Sequence, residues 1–207
     1  MESPGSKELY MMNGGNKLYI YKDGFGDIYN ATAEEESEWA KEIISNALAR
    51  IDVESNLTVL QFAINDLVFH KYNELEALLL NKMKTATPAR QVVFAAALWR
   101  IFKYGKSFEL IQQNLLQHRD ECLDEVFLCL NDFKNCMAAK YFLLKCIKEE
   151  ENVLYVKAHT TISMWAYTGI PSLRENDLLD LLRIENKGKP SFNAAVEQLE
   201  KILKSKK

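Results

Sequence analysis

Four segments of this sequence resemble one another, and each is an apolar stretch with helical spacing that ends in a short polar or glycine-containing stop. The stops read HKYN, FKYG, FKNC and AYTG, and they end at Asn73, Gly105, Cys136 and Gly169. Successive stops therefore lie 31 to 33 residues apart. Self-similarity at a period of this length is typical of stacked helical repeats, in which each unit buries its apolar face against its neighbours. The sequence thus predicts an all-α fold.

The spacing of apolar residues predicts four helix pairs after residue 55, with one helix before them and one after. The pairs are Leu57–Lys71 with Asn73–Lys84, Ala89–Lys103 with Lys106–His118, Glu121–Phe133 with Met137–Glu149, and Val153–Tyr167 with Leu173–Ile184. The first helix begins at a capping box formed by Thr32 and Glu35. The last helix, Phe192 to Leu203, has a mostly charged surface that suits the end of a stack. Further helix starts are marked by Thr87-Pro88, by Asp120 and by a second capping box, Ser172-Leu173-Arg174-Glu175.

Aromatic side chains fall within the apolar stretch of every repeat. We expect them to form a stacking core: Phe62, Phe94, Trp99, Phe127 and Trp165. The polar positions, by contrast, differ freely from one repeat to the next. That difference argues against an active site shared by the repeats.

The N-terminal 31 residues have a different pattern. Two runs rich in Tyr and Ile, Lys17–Tyr21 and Phe25–Tyr29, flank Asp23-Gly24, and Asp-Gly is a strong signal for a hairpin turn. We therefore predict a small β-hairpin in a leader segment over residues 1–31 and a helical repeat domain over residues 32–207.

Short antiparallel helix pairs at a period just above thirty residues resemble HEAT-like repeats, of the short kind found in bacterial proteins. The resemblance covers about residues 55 to 185. Tetratricopeptide repeats have a similar period, but the Gly, Ala and Pro that they place at fixed positions are missing. Thr87-Pro88-Ala89-Arg90 matches only two letters of the ankyrin start. The HEAT-like resemblance implies an α-α superhelix whose concave face holds another macromolecule.

The charge balance argues against a nucleic-acid partner. The formal net charge is -3, and the basic residues are scattered apart from a short C-terminal tail, whereas a nucleic-acid binder usually carries a basic surplus or stripe. The longest apolar run, Val92 to Trp99, is too short to cross a bilayer, and the first residues lack the apolar segment of a signal peptide. We therefore expect a cytoplasmic protein that has no membrane partner.

No catalytic or metal-binding motif is present in the sequence. The histidines His70, His118 and His159 have no partner at metal-ligand spacing, and the four cysteines include no C-x-x-C pair. We interpret the cysteines as reduced, buried apolar side chains and the histidines as hydrogen-bonded side chains. We therefore expect neither enzymatic activity nor a cofactor. The enzymatic alternative is a HEAT-like alkylpurine DNA glycosylase, in which Trp99, Arg100 and Trp165 would line a basic groove.

Protein binding is the function that this pattern favours most. Interface hot spots are enriched in Tyr, Trp and Arg, so the predicted contact residues are Tyr72, Arg100, Tyr104 and Tyr141. A bacterial immunity protein, which neutralises a toxin by covering its active site, is a special case. If the toxin were a nuclease, the acidic surface would mimic its substrate and speed association.

Overall fold

The computed structural model describes residues 4–149 and 152–205, and within these ranges the chain forms twelve α-helices and no β-strand. The helices are α1 Ser6–Met12, α2 Lys17–Lys22, α3 Ala33–Val53, α4 Leu57–Phe69, α5 Leu75–Met83, α6 Pro88–Phe102, α7 Ser107–Gln117, α8 Arg119–Cys129, α9 Met137–Lys148, α10 Asn152–Thr168, α11 Leu178–Leu181 and α12 Pro190–Lys204. Three short 3-10 segments, Leu130–Phe133, Pro171–Asp177 and Ile184–Asn186, lie between them. The predicted all-α class is confirmed. None of the helices in the described ranges has the length and apolar composition needed to cross a bilayer.

The chain divides into two compact units, Met1–Lys82 and Met83–Lys207. In the first unit, α1 and α4 both pack on α3. A small core here contains Leu9, Tyr10, Ile20, Tyr29 and Ile43. Polar contacts also join the first thirty residues to α3: Lys17 pairs with Glu36 at 2.9 Å, and the Tyr29 hydroxyl donates to the same carboxylate at 2.9 Å. Contacts therefore cross the predicted boundary between residues 31 and 32.

The predicted β-hairpin is not present, because residues 17–22 form helix α2. The Asn16 side chain caps the start of this helix by accepting from the Leu18 N–H at 3.1 Å. Gly24 has a φ of 84° and directly follows Asp23, the C-cap residue of α2. The N–H groups of Gly24 and Phe25 bond back to the carbonyls of Tyr21 and Ile20, which is the Schellman pattern of a helix end. Asp-Gly therefore ends a helix here and does not turn a hairpin.

Two of the four repeat stops share one backbone conformation. Lys71 and Lys103 both adopt left-handed φ angles, of 53° and 56°. The tyrosine after each lysine then bonds back to a helix carbonyl: the Tyr72 N–H to Leu67, and the Tyr104 N–H to Leu98. A residue with positive φ after a helix satisfies carbonyls that have no partner within the helix. The similarity between HKYN and FKYG is thus a similarity of helix ends.

The second unit is built around a large apolar core. Helix α6 packs on α7 and α8, and α9 packs on α10 and α12. The largest fully buried side chains in this core are Phe133, Tyr155 and Trp165. The predicted last helix is confirmed, with its apolar positions buried: Phe192, Val196, Leu199 and Leu203. The first capping box is also confirmed, because the Thr32 hydroxyl accepts from the Glu35 N–H and the Glu35 carboxylate accepts from the Thr32 N–H.

Three expectations from the sequence are wrong. The predicted helix Leu173–Ile184 is broken: Asn176 and Asp177 have φ angles of 55° and 53°, so only α11 within it is α-helical and the Ser172 capping box does not form. Asp120 does not cap α8, because that helix already begins at Arg119. Phe62 does not belong to the core, since its side chain is 58% exposed.

The cysteine thiols should react with alkylating reagents at very different rates. Burial raises the pKa of Cys129 to about 12, and it also raises the pKa of Cys122. Only the thiolate is nucleophilic, so at pH 8 roughly one Cys129 thiol in 10⁴ is reactive even before access is considered. Cys136 is half-buried. We expect iodoacetamide at pH 8 to modify Cys136 first and to reach Cys122 and Cys129 only after unfolding. Peptide mass mapping over time measures this order, and early modification of Cys129 would contradict it.

Candidate functional site

An apolar groove lies between α7 and α9 in the second unit. Its volume is about 500 Å³. A second cavity of about 300 Å³ shares four of the lining side chains and extends the groove toward α10. The residues that line the two are Gln112, Leu115, Leu116, Arg119, Ala138, Tyr141, Phe142, Lys145, Cys146, Glu149 and Leu154. The groove residues of α7 and α9 recur at helical spacings of three and four, so one face of each helix forms a wall.

Phe142, which lines the groove, packs on a chain of aromatic rings that lie behind it. The Phe142 ring lies 6.1 Å from that of Phe108 and 5.9 Å from that of Phe127, measured between centroids. The Phe108 ring in turn lies 5.6 Å from that of Phe133, which stacks on Trp99 at 5.2 Å. Ring centroids at these separations are in the range of favourable aromatic packing. Packed rings of the second unit therefore support the groove lining at Phe142.

Two large side chains on the walls of the groove are exposed. Leu116 is 85% exposed, and Tyr141 is 50% exposed. The adjacent Leu115 also lines the groove but is buried, so of the two leucines only Leu116 is exposed. Exposed apolar groups beside an apolar cavity are typical of a surface that binds another molecule.

Charged side chains surround the Tyr141 end of the groove. The Lys204 ammonium lies 5.6 Å from the centroid of the Tyr141 ring, within range of a cation–π interaction. Hydrogen bonds from Lys148 and Lys204 lower the pKa of Glu200 to about 2. Lys145 pairs with Glu149 at 3.2 Å. Among the side chains that line the groove, two are cationic (Arg119 and Lys145) and one is anionic.

The structure places only one of the four predicted contact residues in this groove, namely Tyr141. Arg100 and Tyr104 lie at the C-terminal end of α6, and Tyr72 belongs to the first unit. Tyr72 and Tyr104 are half-buried parts of helix ends, and Arg100 is exposed. Sequence reasoning missed Leu116; the signal that could have found it is the Leu-Leu pair at 115–116, since both members cannot face the same core.

The two tryptophans of the glycosylase alternative lie in the core of the second unit. Trp165 is fully buried. Trp99 is half-buried, and its indole N–H donates to the Asp132 carbonyl at 3.0 Å. His70 and His159 each donate from Nε2 to a backbone carbonyl, of Gly14 at 3.0 Å and of Leu179 at 2.9 Å. In residues 4–149 and 152–205, no cluster of three or more His, Cys, Asp or Glu side chains could hold a metal ion.

The chain was compared with known families and proteins. It matches no family, no curated protein and no solved structure.

Proposed function

We propose that this protein is a non-catalytic protein-binding module and that the groove between α7 and α9 receives one face of an amphipathic helix from its partner. The observation that carries the proposal is the pairing of exposed Leu116 and Tyr141 with an apolar groove whose lining residue Phe142 packs on further aromatic rings. A groove with two helical walls suits a helix that inserts apolar residues at positions i, i+3 or i+4, and i+7.

The charges of the groove favour an acidic partner segment. Arg119 and Lys145 outnumber Glu149 along the lining, and Lys204 lies over Tyr141. Complementary charge steers association and selects between partners of similar shape. The partner helix therefore carries Asp or Glu beside its apolar face.

A HEAT-like repeat organisation is part of this proposal. Contacts between successive parts of the second unit join residues about one repeat apart, which supports it. The Trp99 indole bonds to Asp132, 33 residues on, and the Lys134 ammonium donates at 2.7 Å to the Thr168 carbonyl, 34 residues on. Lys157 pairs with Asp124, again 33 residues away.

A toxin-neutralising immunity protein is one form of such a module. In that case the acidic, apolar helix belongs to the toxin. Growth rescue on co-expression with the toxin would then depend on Leu116, and it would be lost together with groove binding.

A displayed library of helical peptides tests the groove. We expect selection on the full-length protein to enrich peptides that have an apolar stripe with acidic flanks. Leu116→Asp should weaken their binding by about 10- to 100-fold, because a buried leucine contact is lost and a charge is desolvated. The protein itself should keep its melting temperature, since Leu116 is 85% exposed. Fluorescence anisotropy of labelled peptides measures the affinity.

The matched control is Leu128→Asp, which changes a leucine of α8 that is 70% exposed and outside the groove. It should leave the peptide affinity unchanged. Tyr141→Ala should weaken binding, whereas Tyr167→Ala, at an exposed tyrosine of α10, should not. Selected peptides that bind the Leu116→Asp protein as tightly as the original would contradict the proposal, and so would a library that yields no binder.

A further inference from the structure

A separate cavity lies in the first unit, between the loop after α1, helix α2, and the facing sides of α3 and α4. Its volume is about 570 Å³. The lining residues are Met11, Met12, Asn13, Gly14, Tyr19, Arg50, Phe62 and Asp66. Three large side chains around it are exposed: Met12 at 74%, Tyr19 at 51% and Phe62 at 58%. Apolar and aromatic groups thus surround an opening that leads to a charged residue.

The charged residue, Asp66, has a half-buried side chain. In the described part of the chain no hydrogen bond or ion pair engages its carboxylate. Desolvation by burial raises the pKa of Asp66, although the charges of His70 and Arg50 act in the opposite direction. The carboxylate is thus partly desolvated, so a ligand that supplies a donor gains more here than at a fully solvated carboxylate.

The backbone beside this carboxylate is held close to it. Gly14 has a φ of 57°, and a Cβ atom at that position would lie 2.8 Å from Oδ1 of Asp66. One turn further along α4, the His70 ring donates to the Gly14 carbonyl at 3.0 Å. His70, at the C-cap of α4, thus holds the loop beside the face of the helix that carries Asp66. The Asp66 carboxylate therefore lines the cavity directly beside the Gly14 backbone.

We infer that this cavity is a binding site for an arginine side chain of a protein partner. A guanidinium pairs with a carboxylate through two N–H groups, stacks on aromatic rings and is weakly hydrated, so it enters a half-buried apolar site more readily than an ammonium. Asp66 supplies the carboxylate, and Tyr19 and Phe62 supply the rings. Arg50 also lines the cavity and favours the charged form of Asp66, but burial of the carboxylate outweighs this effect on its pKa and the Arg50 side chain is exposed.

This site does not depend on the groove between α7 and α9, since the two share no residue. It adds an anchor for a cationic residue to a protein that also offers an apolar groove. The two can be tested separately, because Leu116→Asp should leave the arginine site unchanged.

Titration of the ¹⁵N-labelled full-length protein with N-acetyl-L-arginine methylamide tests the inference. We expect saturable shifts at the backbone amides of Gly14, Tyr19 and Asp66, with a Kd on the order of millimolar, as suits a single side chain. The citrulline analogue, which has the same shape without the charge, should give no saturable shift. The glutamate analogue, which would pair with Arg50, should bind at least about tenfold more weakly.

Asp66→Asn should weaken arginine binding by at least about tenfold, and Phe62→Ala should weaken it less. The matched control is Asp52→Asn, a carboxylate of the same unit that pairs with Lys82 outside the cavity. Equal binding of arginine and citrulline overturns the inference, as does arginine binding that survives Asp66→Asn. Tighter binding of the lysine analogue overturns the choice of arginine. The ligand comparison on the original protein decides the matter even where a variant folds poorly.

Discussion

Replacement of Trp165 by alanine should lower the free energy of unfolding of the second unit by about 3–5 kcal/mol. Trp165 is fully buried in α10, within the core cluster that joins this helix to its neighbours. Removing the indole leaves a cavity larger than the neighbouring side chains can fill, so both transfer energy and packing contacts are lost. A typical domain has only about 5–15 kcal/mol of stability, and the variant should therefore be marginal at room temperature.

Two further variants serve as comparisons for Trp165→Ala. Trp165→Phe should cost much less than Trp165→Ala, because the ring is retained and because the indole N–H has no acceptor in the described part of the chain. Phe62→Ala should change stability by less than about 1 kcal/mol, since that side chain is 58% exposed. Urea denaturation followed by far-UV circular dichroism measures all three variants without relying on tryptophan fluorescence. Similar costs for Trp165→Ala and Phe62→Ala would show that the core is not packed as described.

The contrast between Trp165 and Phe62 also shows that the repeat pattern alone does not predict which side chains are buried. Both residues fall in the apolar stretch of a repeat, and the sequence places them on equal terms. Helical spacing identifies which residues share a face, but it does not show which neighbouring helix covers that face. Phe62 lies on α4 in the first unit, where its side remains open to the cavity near Asp66. Local pattern therefore predicts the helices well and the packed surfaces less well.

Helix ends show a related ambiguity. Asp23-Gly24 was predicted to be a hairpin turn, yet Gly24 closes α2. A type I′ turn and a Schellman cap both need a residue with positive φ, so a single Asp-Gly pair is compatible with either. At Ser172 the capping-box pattern is present, but Asn176 and Asp177 adopt positive φ angles and interrupt the helix. At Thr32 and Glu35 the capping-box pattern and the apolar spacing after it both indicate a helix start, and the predicted capping box is confirmed.

The candidate groove was only partly predictable for the same reason. Tyr141 follows from the preference of interfaces for tyrosine, and it does line the groove. Tyr72 and Tyr104 satisfy the same preference but serve as helix ends. The groove itself depends on the gap between α7 and α9, which is a tertiary feature that no local pattern contains.

Replacement of Gly15 by alanine should destabilise the first unit by about 2–5 kcal/mol, which combines backbone strain with a steric clash. Gly15 has a φ of 81°, a value that residues with a Cβ rarely adopt. A Cβ there would also lie 2.7 Å from Cε1 of His70 and 3.0 Å from the Tyr10 hydroxyl oxygen. The loop after α1 would have to move away from α4, and the His70 bond to the Gly14 carbonyl would be lost.

Gly24→Ala is the matched control, because Gly24 has a φ of 84° and a Cβ atom there would meet no heavy atom of the described residues within 4 Å. It should cost only the backbone strain, about 1–2 kcal/mol. The excess cost of Gly15→Ala over Gly24→Ala is then the clash, and it should shrink when His70 is also replaced by alanine. Urea denaturation of the single and double variants measures this coupling. Equal costs at the two glycines, or an excess that His70→Ala leaves unchanged, would show that the loop is not held against α4 by His70.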